Sequence, residues 1–457
     1  MLHFVEEDVI LTIDLLNILK LKEVISVEIK KISISGFRNI SRIDLSFENI
    51  TALVGLNGYG KSNVMDAIDF SFDFLHATPQ GKSALMSSKH NIPLLRAIAG
   101  KNFEFEIELN LDSQKNKYSV IYGFSFAWET ALHTAKILNE YLNIRKNEKS
   151  QRFNKYISRS ELTASYKSSF SGRCDKKIKI EDNSLVINKL LAIDDLCFSD
   201  IVRQVNGIQF FVERHLDASQ SFVPDPFVIK GFQELELRGI NSIPRAIFFL
   251  KKDYPDKYEL LINAFTQLFP EIVDVNVQEI SLNGQLQDTI AKLPEDIPII
   301  FSDNIYAISI TDEKLLQPVR FEHLSDGTKR IFLMLTFAVI ADVKNLSMIA
   351  IEEPENSIHP SLFQSYLDVL SQLVEDCKIV VTSHSPYIIQ YLDPQSIYIG
   401  MSSETGEVDF RRIATTKVKC LYRDAAEYDR TVGDYIFNLI SSFDSDEYLK
   451  EYLESAK

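Results

Sequence analysis

Gly55-Leu56-Asn57-Gly58-Tyr59-Gly60-Lys61-Ser62 fits the pattern GxxxxGK[ST], and the residues on either side agree with it. Before it, Ile50-Thr51-Ala52-Leu53-Val54 reads as a short buried strand. After it, Val64, Ala67, Ile68, Ser71, Phe72 and Leu75 fall on one face of a helix. Strand, glycine-rich loop and helix in this order make a phosphate cradle. Glycines let backbone N–H groups curl around an anion, and the helix points its positive N-terminus at it. Lys61 would reach the outer phosphates of ATP and the Ser62 hydroxyl would ligate Mg2+, with Asn57, Gly58, Gly60 and Asn63 lining the nucleotide.

The chain has 457 residues, enough for a large core in one elaborated domain or two. Its formal net charge of -15 argues against wholesale coating of nucleic acid, so any such contact needs a local basic surface. Cys174, Cys197, Cys377 and Cys420 show no CxxC or Cys/His spacing, which predicts reduced thiols in a cytoplasmic protein and no zinc site. The apolar run Val9–Leu16 is preceded by Glu6, Glu7 and Asp8 and interrupted by Asn17 and Lys20. It suits neither a signal peptide nor a membrane span. A helix over residues 9–21, packed on the body or on another subunit, is expected instead.

Outside the loop, Ser26–Ile34 reads as a strand whose apolar parity changes at Lys30-Lys31, which predicts a bulge there. A second strand over Ile43–Phe47 and a hairpin of Phe103–Leu111 with Tyr118–Phe126 extend this lobe. Residues 141–180 then carry eleven Lys and Arg, among them Arg145, Lys146, Lys149, Arg152 and Lys155, against Glu148, Glu161 and Asp175. That island is expected to be either a solvated helix and hairpin or a surface for nucleic acid or an acidic partner. Ile243–Leu268 reads as helical, and Val273–Val277 and Ile305–Ile310 as strands.

Leu324-Ser325-Asp326-Gly327-Thr328-Lys329-Arg330 precedes an apolar helix over Ile331–Val343, so Ser325 and Gly327 sit at a helix N-terminus. They form either a second anion site or a plain helix cap. Ser347–Ile351 reads as a buried strand ending in Glu352-Glu353-Pro354-Glu355-Asn356. Two carboxylates at a strand end can divide labour, one holding Mg2+ through water and one activating a water. Ile379–Ser383 is another apolar strand, and it ends in His384.

Phosphate loop, signature helix, acidic strand and histidine strand, in this order, resemble the ABC-class ATPases of the RecF, SMC and OLD group. Gly36-Phe37-Arg38-Asn39-Ile40 and the form L-S-D-G-T-K-R look most like stand-alone bacterial ATPases related to OLD proteins, many of them in anti-phage defence. The resemblance implies an α/β fold, an ABC-type ATPase head with an antiparallel β lobe, a mixed central sheet flanked by helices, and an α+β insertion. The corresponding divisions are 1–25 (helical extension), 26–125 (N-lobe), 126–300 (insertion), 301–400 (C-lobe) and 401–457 (C-terminal strand and helix).

The resemblance also implies that two subunits face head to tail, with Lys61 and Ser62 acting in cis and Ser325 and Gly327 completing the neighbour's site. Glu352 would hold Mg2+, Glu353 would polarise the attacking water, and His384 would contact the γ-phosphate, with Arg38 near the nucleotide. Gln204 and Gln209, in or beside the strand-like stretch Val205–Val212, are both candidates for the family's Q-loop glutamine or for an ordinary core-strand role. OLD nucleases append a Toprim domain, whereas here Asp444-Ser445-Asp446 follows a helical stretch close to residue 457 and reads as a solvated loop, so no nuclease is expected in this chain. Two functional readings stand: a homodimeric, or higher-order, switch that controls a separate effector such as a nuclease in defence, as in the Septu-type ATPases, and a RecF-like repair ATPase that itself clamps DNA. A transporter subunit fits poorly, because the signature is not LSGGQ and a long insert replaces the compact helical lobe. The acidic stretch 424–457 carries an apolar face of Val432, Ile436, Leu439, Ile440 and Phe443, which suits a closing helix or a partner-docking helix.

Overall fold

Period-two alternation builds the first sheet. Strand β1 (Val27–Phe37) lies antiparallel to β4 (Phe103–Ser113), and its register slips between Ile29 and Lys31. The expected bulge is therefore present, and it leaves Ile29, Ile32 and Ile34 all buried. Strand β2 (Ile40–Ser46) returns beside β1, and β4 pairs with β5 (Asn116–Ala127) as the expected hairpin. The computed structural model describes residues 27–455 apart from 114–115, 131–133, 162, 170, 194, 214–217, 219–220, 230–234, 236–242, 283–298, 375–376, 402–404 and 443–445. The expected N-terminal helix over 9–21 and the Asp444-Ser445 pair lie outside the described residues.

Strands β6 (Lys136–Lys146), β7 (Asn154–Arg159), β8 (Ala164–Lys167) and β9 (Cys174–Lys177) carry this sheet to eight strands, in the order β2-β1-β4-β5-β6-β7-β8-β9. This corrects the expectation of a solvated helix and hairpin over the basic stretch. The charges hid an alternation: Glu140, Leu142 and Ile144 are buried at every second position, and Ile137 is buried beyond a register shift against β5. Arg159 and Lys167 are also interior, whereas Lys149, Arg152, Lys155, Lys176 and Lys177 are exposed.

Helix α1 (Lys61–His76) follows the phosphate loop, and all six positions assigned to its apolar face are buried. Its C-terminal half joins an aromatic cluster. Phe70 lies 5.1 Å from Phe103 and 5.6 Å from Trp128 between ring centroids, and Phe74 stacks on Phe124 at 5.0 Å and on Phe126 at 4.7 Å. Each such phenylalanine contributes about 1.5–3 kcal/mol relative to exposure. By its contacts the chain divides into two compact units, one made of the residues up to Ser46 with Phe70–Ile208, the other of Phe47–Asp69 with Gln209 onward. The stretch 126–300 thus contributes to both.

The second unit is built on a six-stranded sheet in the order β10 (Phe210–Glu213), β16 (Met348–Glu352), β17 (Lys378–Ser383), β3 (Ile50–Val54), β18 (Ile397–Met401) and β19 (Asp409–Arg412). Neighbours are parallel except β18 and β19. Strands buried on both faces read as unbroken apolar runs, which is why β3, β16 and β17 show no alternation. Strands β12 (Ile272–Ser281), β14 (Asn304–Asp312) and β15 (Val319–Arg320) form a separate antiparallel sheet, and β11 (Phe227–Ile229) pairs with β13 (Ile299–Phe301).

Short helices α2 (Pro79–Met86), α3 (Val186–Leu190) and α4 (Ser199–Asn206) belong to the first unit. Helices α5 (Ile243–Asp253), α6 (Pro255–Leu268), α7 (Asp326–Val343), α8 (Pro360–Leu373), α9 (Pro386–Tyr391), α10 (Val418–Glu427), α11 (Val432–Ser441) and α12 (Asp446–Tyr452) belong to the second. Val432, Ile436 and Ile440 of α11 are buried in that unit's core, so α11 is a closing helix and not a free docking face; Phe443 lies outside the described residues. The fold is thus α/β, with an antiparallel β lobe in the first unit and a largely parallel sheet with helices in the second, as expected. Among the described residues, no helix is long and apolar enough to cross a membrane.

Candidate functional site

The carboxyl ends of the parallel strands fall level with one another. Ser383 is paired with Val54, and Glu352 with Thr382, while Glu213 at the end of β10 faces Ile351. This end of an open α/β sheet is where ligands bind. Gly55 opens the loop there, its N–H donating to the Ser383 carbonyl at 3.3 Å.

Gly58 and Gly60 have φ of +89° and +91°, a left-handed backbone that glycine adopts without strain. Such alternation turns successive N–H groups toward one concavity, a nest for an anion. Lys61 is buried, with Nζ donating to the carbonyls of Gly55 (2.7 Å) and Leu56 (3.3 Å). Burial pushes its pKa down, opposed by the charges of Glu353, Glu355 and Glu352. Ser62, Asn57 and Gly58 are exposed at the loop and Asn63 is half-buried.

Glu353 leaves β16 with φ +48°, in the left-handed region that non-glycine residues rarely occupy. Pro354 bars the right-handed helical conformation at this position. The backbone is fixed from both sides: its N–H donates to Thr382 O at 2.9 Å, and its carbonyl accepts from Arg330 Nη2 at 2.7 Å and from Asn356 N at 3.2 Å. The side chain is fixed as well, with Oε2 accepting from Asn356 Nδ2 (2.8 Å) and Oε1 lying 3.0 Å from His384 Nδ1. Burial pushes the Glu353 pKa up, but the Asn356 hydrogen bond, His384 and Lys61 together outweigh it, so the carboxyl stays ionised below the usual glutamate value.

Glu355 goes the other way. Burial pushes its carboxyl up, the Ser383 hydroxyl donates to Oε1 at 2.5 Å, and Oε2 is buried without a hydrogen-bond partner. A pocket of about 310 Å³ beside it is lined in part by Asn356, His384 and Tyr387.

Ser325 is the N-cap of α7, its Oγ accepting from Thr328 N at 3.2 Å. A Cβ on Gly327 would stand 2.4 Å from the Ser357 carbonyl, so close approach to the loop after Glu353 requires glycine there. The sequence thus has a reason for Gly327 within the subunit besides anion binding.

The second unit brings together the phosphate loop, Lys61, Glu352, Glu353 and His384, with Ser325 and Gly327 opening α7. Arg38 belongs to the first unit, at φ +46°, with Nε and Nη2 donating to His90 O and Asn91 Oδ1, both at 3.3 Å. The stretch Val205–Val212, expected as strand, is the end of α4 followed by β10 from Phe210. Gln204 lies on that helix and donates to Asp112 O at 3.1 Å, which is a core role in the first unit. Gln209 precedes β10, its carbonyl accepting from Ser347 and Met348. Arg330 and Asn356 were missed by the motif reading. The acid-rich run E-P-E-N shows a polar residue three places after Glu353, but nothing in L-S-D-G-T-K-R shows where Arg330 turns.

A profile of the family described as AAA domain, putative AbiEii toxin, Type IV TA system matches residues 50–390, about three quarters of the chain. The chain belongs to that family. The DNA replication and repair protein RecF of Oceanobacillus iheyensis is 28% identical over 94 residues, and that of Arthrobacter sp. 31% identical over 86 residues. These matches cover 20% and 18% of the chain and 26% and 21% of the relatives, so the chain spans about a quarter of their length. Among solved structures, an SMC head bound to the C-terminal winged-helix domain of ScpA is 14% identical with a TM-score of 0.46, covering 86% of this chain and 99% of that one. The SMC head domain of Thermotoga maritima, 14% identical, has a TM-score of 0.39 over 85% and 100%.

The residues present fit Mg2+ with a nucleotide: an anion nest, an exposed Ser62 hydroxyl at a helix N-terminus, and the half-buried Glu352 carboxylate at a strand end. Ser62 and Glu352 would hold the ion, which neutralises phosphate charge when bound.

Proposed function

We propose that this chain binds and hydrolyses ATP as a homodimeric switch that controls a separate effector, a nuclease in bacterial anti-phage defence. The observation that carries the catalytic part is the ionised Glu353, fixed in backbone and side chain next to His384 and within the field of Lys61. In this reading the phosphate loop and Lys61 hold the triphosphate in cis. Ser325 and Gly327 of the neighbour close over it. A water oxygen attacks the γ-phosphorus while Glu353 accepts the water's proton, and ADP leaves with the bridging oxygen. His384 orients Glu353 and faces the transferred phosphate. The defence role draws support from the toxin wording of the family's description and from the resemblance to OLD-related ATPases.

Purified protein should hydrolyse ATP only with Mg2+, and Glu353→Gln protein should shift to dimer when ATP is added. An ATP-independent elution position together with no turnover would remove the switch. Coexpression with a neighbouring nuclease gene should give cleavage that Lys61→Ala abolishes or releases.

The basic strands favour a second reading, a RecF-like ATPase that touches nucleic acid directly. Arg145 packs 4.7 Å over the half-exposed Phe153 ring, and Lys149, Arg152 and Lys155 crowd the same hairpin. Changing Arg152 and Lys155 to Glu should then lower affinity for all sequences alike and reduce the salt slope by about one unit per lost phosphate contact. No binding by the wild type at low salt, with or without ATP, retires this reading.

A further inference from the structure

We infer that Arg330 is a positioning residue: it ties the signature helix α7 to the backbone of Glu353 and so couples one nucleotide site of the dimer to the other. The inference rests on the reading of Glu353 as the water-activating carboxylate.

Three observations converge on Arg330. Its Nη2 donates to the carbonyls of Glu353 (2.7 Å) and Glu352 (3.3 Å), so one guanidinium nitrogen grips both residues of the acidic pair. Glu353 is the residue with the left-handed backbone, a conformation that costs on the order of 1–3 kcal/mol and persists only where neighbours hold it. The same helix presses on the far end of that loop, where Gly327 meets the Ser357 carbonyl and Ser357 is itself left-handed at φ +66°. The loop 353–357 is therefore clamped at both ends by the first turns of α7.

Arg330 suits this task electrostatically. Burial pushes its pKa down, and the charges of Glu355, Glu353 and Glu213 hold it up, so it stays a cation among carboxylates at the strand ends. A planar guanidinium on two adjacent carbonyls fixes direction as well as distance, which a lysine would do only in part. In a head-to-tail dimer, Ser325 and Gly327 meet the neighbour's nucleotide. A shift of α7 on that contact would be passed through Arg330 to the same subunit's Glu353, which serves the other site.

The test uses full-length protein with ATP and Mg2+, with a fluorescent ATP analogue for affinity. Arg330→Gln should lower kcat by about tenfold or more while nucleotide Kd changes by less than about twofold, the split expected of an interaction made for the chemical step. Arg330→Lys, which keeps one donor and a charge, should recover part of the loss and serves if Arg330→Gln fails to fold. A kcat unchanged in either folded variant, when Glu353→Gln is inactive, overturns the inference. Turnover retained in Glu353→Gln instead removes the reading beneath it.

Mixed dimers read whether Arg330 acts on the Glu353 of its own subunit, the link that the coupling needs. One chain carries Ser325→Arg and supplies Lys61 and Glu353; the other carries Lys61→Ala and supplies Ser325. Arg330→Gln in the first chain should lower the recovered turnover by about tenfold more than in the second. Equal losses in both placements mean that Arg330 merely supports α7. If mixing recovers no turnover, the head-to-tail arrangement falls, and the kcat and Kd of the uniform variants decide the positioning role.

Discussion

Lys61 and Lys82 are both buried lysines whose ammonium groups turn onto main-chain carbonyls, yet their surroundings differ in kind. Lys61 binds the carbonyls of Gly55 and Leu56 at the start of α1. Lys82, only 1% exposed, binds the Leu75 and Ala77 carbonyls where α1 ends, and Asn188 Oδ1 at 3.0 Å. Burial pushes both pKa values down. For Lys61 three carboxylates at the strand ends oppose it; for Lys82 the opposing charge is Glu140, and its pKa falls to about 8. Both ammonium groups donate to carbonyls, so what separates them is the charge that opposes burial: three carboxylates at the strand ends for Lys61, Glu140 alone for Lys82.

The sharpest way to break that contrast is Lys61→Ala. Nucleotide affinity should drop by about a hundredfold or more, since the loop loses its one side-chain cation and charged pairings of this kind are the strong ones. The thermal midpoint should stay close to wild type, because Lys61 caps no helix end. Undiminished binding by a folded Lys61→Ala protein would place the nucleotide elsewhere. The parallel change Lys82→Met should do the reverse, sparing nucleotide affinity and moving stability.

Glu353→Gln tests the carboxylate side of the comparison. Hydrolysis should fall by about 10²–10⁴ fold, the usual range for a positioned general base, with binding retained. Phosphate release in single-turnover mixing reads this directly, and a normal rate would shift the role to His384 or Glu355.

The residues that were legible in the sequence are those whose chemistry is written in neighbours. GLNGYGKS, the acidic strand end and His384 each carry a local pattern, and the structure sets Glu353 and His384 within hydrogen-bond reach although they are 31 residues apart. Arg330 was not legible, because its partners are carbonyls, which every residue owns, reached 22 and 23 positions along the chain. Lys82 escaped for the same reason. The strands from β6 to β9 escaped differently: eleven cations suggested solvent, while Glu140, Leu142 and Ile144 keep the period of a sheet. Arg159 shows the cost of reading charge as exposure, since it is buried and donates to the Ser184 and Glu181 carbonyls.

Gly327→Ala separates the two reasons for that glycine. The new Cβ would stand 2.4 Å from Ser357 O, a backbone atom that cannot swing aside. Overpacking of this kind costs about 1–3 kcal/mol, read as a lowered midpoint in urea. A variant with wild-type stability but no turnover would assign Gly327 wholly to the neighbour's nucleotide.

The smallest effect is the pH dependence that Lys82 contributes. Its pKa is about 8 in the folded protein against an ordinary 10.5. Between those values the unfolded chain holds a proton that the folded chain has released, so raising the pH through this window stabilises the fold, and below about 8 the gain vanishes. The slope is at most about 1.4 kcal/mol per pH unit for one group. Urea melts at pH 7.5 and pH 9.5 should show wild type gaining stability relative to Lys82→Met, whose side chain cannot titrate. Since tyrosines and the other lysines titrate in both proteins, the difference between the two curves is the observable. Parallel curves would mean that Leu75 O, Ala77 O and Asn188 compensate fully for burial of the ammonium.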